Sequence, residues 1–241
     1  MLEMKNFSKI VVANWKLNGS QSFSNDYFEN IEFDNFSHND KCVIICTPIP
    51  YISLINTEKF YKGAQDCSSY IEGAFTGEIS AKMLKDIGCY FTIIGHSERR
   101  LFFNETHKII ADKIYNALKA NIIPILCIGE NLEQKKDKLT KEILKDQINK
   151  SLPKNIDLSN LMIAYEPVWS IGSGLIPEIE EIAATHQFIK KDILGNNTKI
   201  LYGGSVKANN YKKILDIEEV DGLLVGGASL NLDEFNQILN F

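Results

Sequence analysis

Short aliphatic runs alternate along this chain with longer stretches in which apolar side chains recur every three or four residues. The runs are Ile10–Ala13, Cys42–Cys46, a weak one at Gly63–Gln65, Phe91–Ile94, Ile122–Ile128, Leu161–Tyr165, Ile200–Tyr202 and Leu223–Val225, eight in all. They are nearly continuous in apolar character rather than alternating, the pattern of strands covered on both faces and hence of a parallel sheet. Between them, Thr106–Ala120 sets Ile109, Ile110, Ile114, Ala117 and Leu118 on one helical stripe, with Lys108, Asp112, Lys113 and Lys119 away from it. Thr140–Leu152, Glu178–Leu194, Lys207–Leu215 and Asp233–Leu239 read as further helices, and Pro177 suits a helix start. Ser22–Ile31 and Tyr51–Lys59 carry the faintest helical pattern. Eight strands in strict alternation with helices predict an α/β fold, a closed (β/α)8 barrel spanning residues 1–241 as one domain. An open doubly wound sheet is the competing architecture, but no GxGxxG turn follows the first run.

Composition narrows the function classes. With 44% hydrophobic and 24% charged residues the chain is ordinary globular material, and a net charge of -5 argues against a broad nucleic-acid surface. Lys135, Lys136 and Lys138 lie beside Glu133 and Asp137 and read as a solvated face. No apolar run approaches the roughly 20 residues that cross a bilayer. The segment from Met1 to Lys9 lacks the apolar core of a secretory signal, so a cytoplasmic protein is expected. Five cysteines without a CxxC pair, and His38, His96, His107 and His186 without helical spacing, predict reduced thiols and no zinc site.

In a (β/α)8 barrel the chemistry gathers just after the strands, at their carboxyl ends. The unusual residues of this chain fall there. Asn14-Trp15-Lys16 follows the first run, Gly95-His96-Ser97-Glu98-Arg99-Arg100 the fourth and Glu166-Pro167-Val168-Trp169 the sixth. Gly203-Gly204-Ser205 and Gly226-Gly227-Ala228-Ser229 follow the last two. Paired glycines let backbone N–H groups approach a phosphate closely, and the loops after strands seven and eight are where this fold commonly builds such a site. Glu166, a carboxylate at the end of an apolar strand and fixed by the next proline, is the candidate base. His96 at a short helix start would have its cation disfavoured by the dipole, leaving a neutral ring able to donate to a substrate oxygen. Lys16 would attract a phosphorylated dianion, with Glu98 as its buried partner. The segment Pro167–Gly174 has the composition of a lid that closes with its apolar side inward.

These residues closely resemble one family, triosephosphate isomerase. The matching segments are Ala13–Asn18, Gly73–Glu78, Ile94–Arg100, Cys127–Glu130, Ala164–Trp169, Tyr202–Val206 and Val225–Leu230, in family order across nearly the whole chain. The resemblance implies interconversion of dihydroxyacetone phosphate and D-glyceraldehyde 3-phosphate, in glycolysis and gluconeogenesis, without metal or nucleotide. It implies that Glu166 is the base shuttling a proton between two carbons and His96 the neutral electrophile, roles already assigned in this family and carried over by position. It further implies that Asn14 and Lys16 bind substrate and stabilise negative charge with support from Glu98. Gly172, Ser205, Gly226 and Gly227 would ring the phosphate through backbone N–H groups. Such a preplaced donor is typically worth about 3–4 kcal/mol to a charged intermediate. The sequence departs from the family in having Ser170, Ser173 and Leu175 where alanine, threonine and lysine are common. Asn104 stands in place of a glycine, and asparagine tolerates the same left-handed backbone.

The long loop from Asp66 to Glu78 carries Tyr70, Ile71 and Phe75 with little regular pattern, which marks a partner surface. In the resembled family this loop inserts into a second subunit and Thr76 reaches the neighbouring active site, so a homodimer is expected. Two other readings share some of these residues: a barrel enzyme acting on another phosphorylated metabolite, and a non-catalytic barrel scaffold. The joint presence of Glu166, His96 and Lys16 opposes both.

Overall fold

The computed structural model describes residues 2–33, 40–55, 59–172 and 175–241. His38, Ser173, Gly174 and part of the helix expected over Tyr51–Lys59 lie outside them. The strands are β1 (Lys9–Asn14), β2 (Lys41–Cys46), β3 (Tyr61–Ala64), β4 (Phe91–Ile94), β5 (Ile123–Ile128), β6 (Met162–Tyr165), β7 (Lys199–Tyr202) and β8 (Gly222–Val225). Each pairs in parallel with the next, and β8 closes on β1 with Ala13 opposite Val225, so the barrel expected from the sequence is the one observed.

Period-two alternation divides the strand residues between two cores. Ile10 and Val12, Cys42, Ile44 and Cys46, Phe91 and Ile93, Ile125 and Cys127, and Met162 and Ala164 fill the barrel interior, with Met4 and Phe7 packed among them. The intervening Val11, Ala13, Val43, Ile45, Leu126, Ile163, Ile200 and Leu223 face outward and bury the helices' apolar stripes. All five cysteines are buried and unpaired, as expected.

The helices are α1 (Gln21–Asn30), α2 (Ile49–Ile52), α3 (Ala81–Asp86), α4 (Ser97–Phe102), α5 (His107–Lys119), α6 (Leu132–Lys136), α7 (Thr140–Ser151), α8 (Ile179–Phe188), α9 (Tyr211–Leu215) and α10 (Leu232–Leu239). α8 winds on as a π-helical turn over Ile189–Leu194 and stops at Gly195, whose φ is 82°. α9 is shorter than the sequence pattern indicates, since Ala208–Asn210 form a turn before it.

Two lysines make contacts that periodicity does not show. Lys113, set by periodicity away from the apolar stripe of α5, is 4% exposed. Its ammonium sits 2.7 Å from Asp66 and 2.5 Å from Glu105, while Arg99 holds the same two acids from the other side. α5 therefore has a second packed face, against the root of the 66–78 loop. Glu133, Lys136, Asp137 and Lys138 are exposed, the solvated face expected, and Lys135 at its edge lies over the Trp169 ring at 4.0 Å and pairs with Glu181 at 2.8 Å.

Candidate active site

Strand alternation itself aims two of the predicted residues. The inward series Ile10, Val12 continues to Asn14, and the series Met162, Ala164 continues to Glu166, so both enter the carboxyl mouth of the barrel. Glu166 is held in register by its N–H, which donates to the Ile128 carbonyl at 2.7 Å. Gly203 on β7's extension leaves the space its side chain needs, because a Cβ there would stand 2.9 Å from the Glu166 Cγ. After β4, Gly95 takes φ 68° and turns the chain so that His96 becomes the N-cap of α4.

Asn14, Lys16, His96, Glu166, Gly172, Ser205, Gly226 and Gly227 all line one cavity of about 680 Å³ at this mouth. Residues far apart in sequence are thus brought together as expected. Glu98 reaches the cavity only through its contacts with Lys16 and His96. Thr76 is not among the lining residues; it stands exposed on its loop.

Glu166 is 2% exposed and His96 5% exposed, and His96 Nε2 lies 3.0 Å from Glu166 Oε1. The other carboxylate oxygen accepts the Ser97 N–H at 3.3 Å. Burial alone would raise the Glu166 pKa, but His96, the Ser97 N–H and the Lys16 charge outweigh it and hold the acid below its ordinary value. Burial likewise opposes the His96 cation, yet the Glu166 carboxylate, with help from Glu98, carries its pKa above the usual histidine value. That differs from the expectation of a depressed histidine, and the cause is the carboxylate in contact with it. The Glu98 N–H donates to His96 Nδ1 at 3.3 Å. An Nδ1 that accepts this bond carries no proton, so the neutral ring keeps its proton on Nε2, facing Glu166.

Lys16 has φ 52°, an unfavourable backbone for a residue with a Cβ. Two side chains hold it there: Asn14 Oδ1 accepts the Lys16 N–H at 3.1 Å, and Gln65 Nε2 donates to the Lys16 carbonyl at 2.9 Å. Its ammonium pairs with Glu98 at 2.5 Å. Glu98 was expected to be buried, but its side chain is 40% exposed, so this is a positioning contact at the rim.

The glycine turns form the opposite wall. Among the described residues, nothing stands within 4 Å of where a Cβ at Gly172 or Gly227 would lie, so these backbones border space that a ligand can occupy. Gly172 also requires its glycine, with φ 69°. A 3-10 turn starts at Gly227, and Tyr27 from α1 braces it by donating to the Ser229 carbonyl at 2.8 Å. Ser205 ties this wall to the segment after β6, its hydroxyl donating to the Ser170 carbonyl at 2.6 Å.

Several contributors carry no role in the sequence reading. Glu130, after β5, accepts from Trp169 Nε1 at 2.8 Å and from the Tyr165 hydroxyl at 3.3 Å, anchoring the segment that follows β6. The rule that found Glu166, a carboxylate just past a strand, applies to it equally. Gln65 carries no such signal. Ser170, noted as a departure from the family, is fully buried and donates to the Leu175 carbonyl at 2.5 Å. Among the described residues no cluster of His, Cys, Asp and Glu could hold a metal ion. No helix among them is long and apolar enough to cross a membrane.

The chain is similar to known proteins. A protein of Francisella philomiragia named triosephosphate isomerase is 38% identical over 244 residues, covering 96% of each chain. One of Buchnera aphidicola with the same name is 42% identical over 245 residues, covering 95% of this chain and 96% of its own. The crystal structure of triosephosphate isomerase from Bartonella henselae superposes with a TM-score of 0.86 at 32% identity, over 97% of this chain and 98% of that one. The family model described as Triosephosphate isomerase matches residues 9–241, and this chain belongs to that family.

Proposed function

We propose that this chain interconverts dihydroxyacetone phosphate and D-glyceraldehyde 3-phosphate, with Glu166 as the base. The observation that carries the reading is the meeting of a buried carboxylate and an imidazole N–H, 3.0 Å apart, in a cavity whose far wall is glycine turns. Glu166 removes a proton from the carbon beside the carbonyl, and the C–H electrons become the C=C bond of an enediolate. His96 Nε2–H and the Lys16 ammonium meet the negative charge that moves onto oxygen, and Asn14 adds a donor. The hydroxyl oxygen of the enediolate gives up its proton and the other oxygen gains one, with His96 Nε2 as the carrier, and Glu166 returns the abstracted proton to the neighbouring carbon to complete the isomerisation. Glu98 holds Lys16, and backbone N–H groups of Gly172, Ser205, Gly226 and Gly227 bind the phosphate. These groups supply the chemistry from side chains and backbone alone, so the reaction is proposed to need no cofactor.

The closure of β8 on β1 supports one domain over residues 1–241. Exposed aromatic and aliphatic side chains on the 66–78 loop support a homodimer in which Thr76 approaches the partner's site. Tyr70 and Phe75 stack there at 3.6 Å, and Ile71 is 64% exposed. Unpaired buried thiols support a reducing, cytoplasmic setting.

The test is conversion of glyceraldehyde 3-phosphate in a coupled assay, with and without chelator, with deuterium from solvent appearing at the substrate carbon. Turnover unaffected by chelator is expected. Absence of turnover on either triose phosphate would sink the reading.

A further inference from the structure

Gln147 lies on the stripe of α7 that also carries Leu144, Ile148 and Ser151, the residues this helix buries against the barrel. A long polar side chain in that row needs partners. It has two, both on the backbone of one residue: Gln147 Oε1 accepts the Gly129 N–H at 2.8 Å, and Gln147 Nε2 donates to the Gly129 carbonyl at 2.9 Å. This is the bond pair that a neighbouring strand would make. β4 has already ended at Ile94, so among the described residues no strand stands beside Gly129 on that side. On the other side the ladder runs through its neighbours, since Ile128 accepts the Glu166 N–H and Glu130 accepts the Val168 N–H.

Gly129 is also in direct contact with the proposed base. A Cβ built on it would overlap the carbonyl oxygen of Glu166, so nothing but hydrogen separates the two backbones. Any drift of Gly129 is therefore passed to the main chain from which the Glu166 carboxylate projects. A cavity of about 340 Å³, lined by Gln147, Gly129, Cys127 and Glu166 among others, lies along this flank and would let the strand end move if it were not tied.

We propose that Gln147 is a positioning residue for the reaction: its amide acts as a one-residue strand that fixes Gly129, and through it the reach of Glu166 to the substrate carbon. The inference rests on Glu166 being the base. Proton abstraction requires the carboxylate within about 3–3.5 Å of its target, and a misplacement of about 1 Å can cost 100-fold.

The test is Gln147→Met, which keeps length and volume and removes both bonds, alongside Gln147→Glu, which keeps only the acceptor for the Gly129 N–H. Each is measured for kcat and KM, for inhibition by inorganic phosphate, and for inhibition by a phosphorylated hydroxamate that mimics the planar enediolate. In Gln147→Met we expect kcat to fall about 10–100-fold and the hydroxamate to bind weaker by a similar factor. Inhibition by inorganic phosphate should stay within about twofold, because the glycine wall is untouched. Gln147→Glu should show the same split, and it serves if the methionine variant does not fold. Folded variants with native kcat and native hydroxamate binding overturn the proposal, as does equal weakening of phosphate and hydroxamate. Glu166→Gln is the control for the underlying assignment. If it retains turnover the base is wrong; if it is inactive while both Gln147 variants are fully active, only the role of Gln147 fails.

Discussion

His96 Nε2 and Glu166 Oε1 stand 3.0 Å apart, and each sets the charge of the other. The carboxylate carries the histidine pKa above its ordinary value against the opposing effect of burial. Replacing it by an amide leaves burial as the strongest influence on the ring. In Glu166→Gln the His96 pKa should therefore fall below that of the parent protein, and turnover should drop by about 1,000-fold or more. Ring nitrogen shifts followed by NMR across pH 4 to 8, together with kcat, check both parts. An unchanged histidine titration would show that the two groups are not coupled in solution.

Lys16 brings positive charge to the cavity on a backbone that is unfavourable for a lysine, held by Asn14 and Gln65. That structure is spent on placing an ammonium where a dianion binds. Lys16→Ala should raise KM about 10–100-fold, the typical cost of losing a charge-assisted hydrogen bond, and weaken inhibition by inorganic phosphate in parallel. Steady-state kinetics with phosphate as competitor settles the matter. A KM equal to that of the parent protein contradicts the assignment.

The sequence pattern exposes most of the barrel because its strands are buried on both faces and its longer helices carry clear stripes. β3 is weak for a local reason: Gly63 sits where a Cβ would press on the Cys46 sulfur, so the strand lacks a side chain at its centre. α3 and α6 are too short to show a period and are defined by their caps, Ser80 accepting from the Met83 N–H and Asn131 forming a capping box with Gln134. Asn104 does take the left-handed backbone expected of it, at φ 54°. What periodicity cannot show is a polar side chain whose partners lie far along the chain, as with Lys113 and Asp66, or Gln147 and Gly129.

Lys113 gives that long-range cluster a measurable consequence. Two cations and two carboxylates share it, and removing one member of a buried ionic group typically costs about 3–5 kcal/mol. Lys113→Met should lose stability on that scale at pH 7. The Asp66 carboxyl is pushed up to about 6, first by burial and then by Glu105, despite the opposing Lys113 and Arg99. A raised acid binds its proton more tightly in the folded chain. Its contribution to stability is therefore complete below its unfolded pKa and is lost as pH rises through about 6. With Lys113 gone the uncompensated charge can be removed by protonation, so the deficit should be smaller at pH 5 than at pH 7. Urea unfolding of both proteins at the two pH values measures this, and an equal deficit at both excludes Asp66 as the source.

The loop from Asp66 to Glu78 keeps its shape through its own contacts. The Ser68 N–H donates to the Ile79 carbonyl at 2.8 Å across its base, and Tyr70 stacks on Phe75 at its tip. Ile71 takes no part in that stack and is largely exposed. Replacing it tests the proposed interface without disturbing the loop itself. If this surface is buried against a second copy, Ile71→Asp places an unpaired carboxylate in an apolar contact, which should raise the dimer dissociation constant by about 1,000-fold. Sedimentation equilibrium at micromolar protein should then show a monomer. Because Thr76 sits on the same loop, specific activity of the variant should be low when dilute and recover as concentration rises. A variant that sediments as the parent does would place the partner surface elsewhere on the molecule.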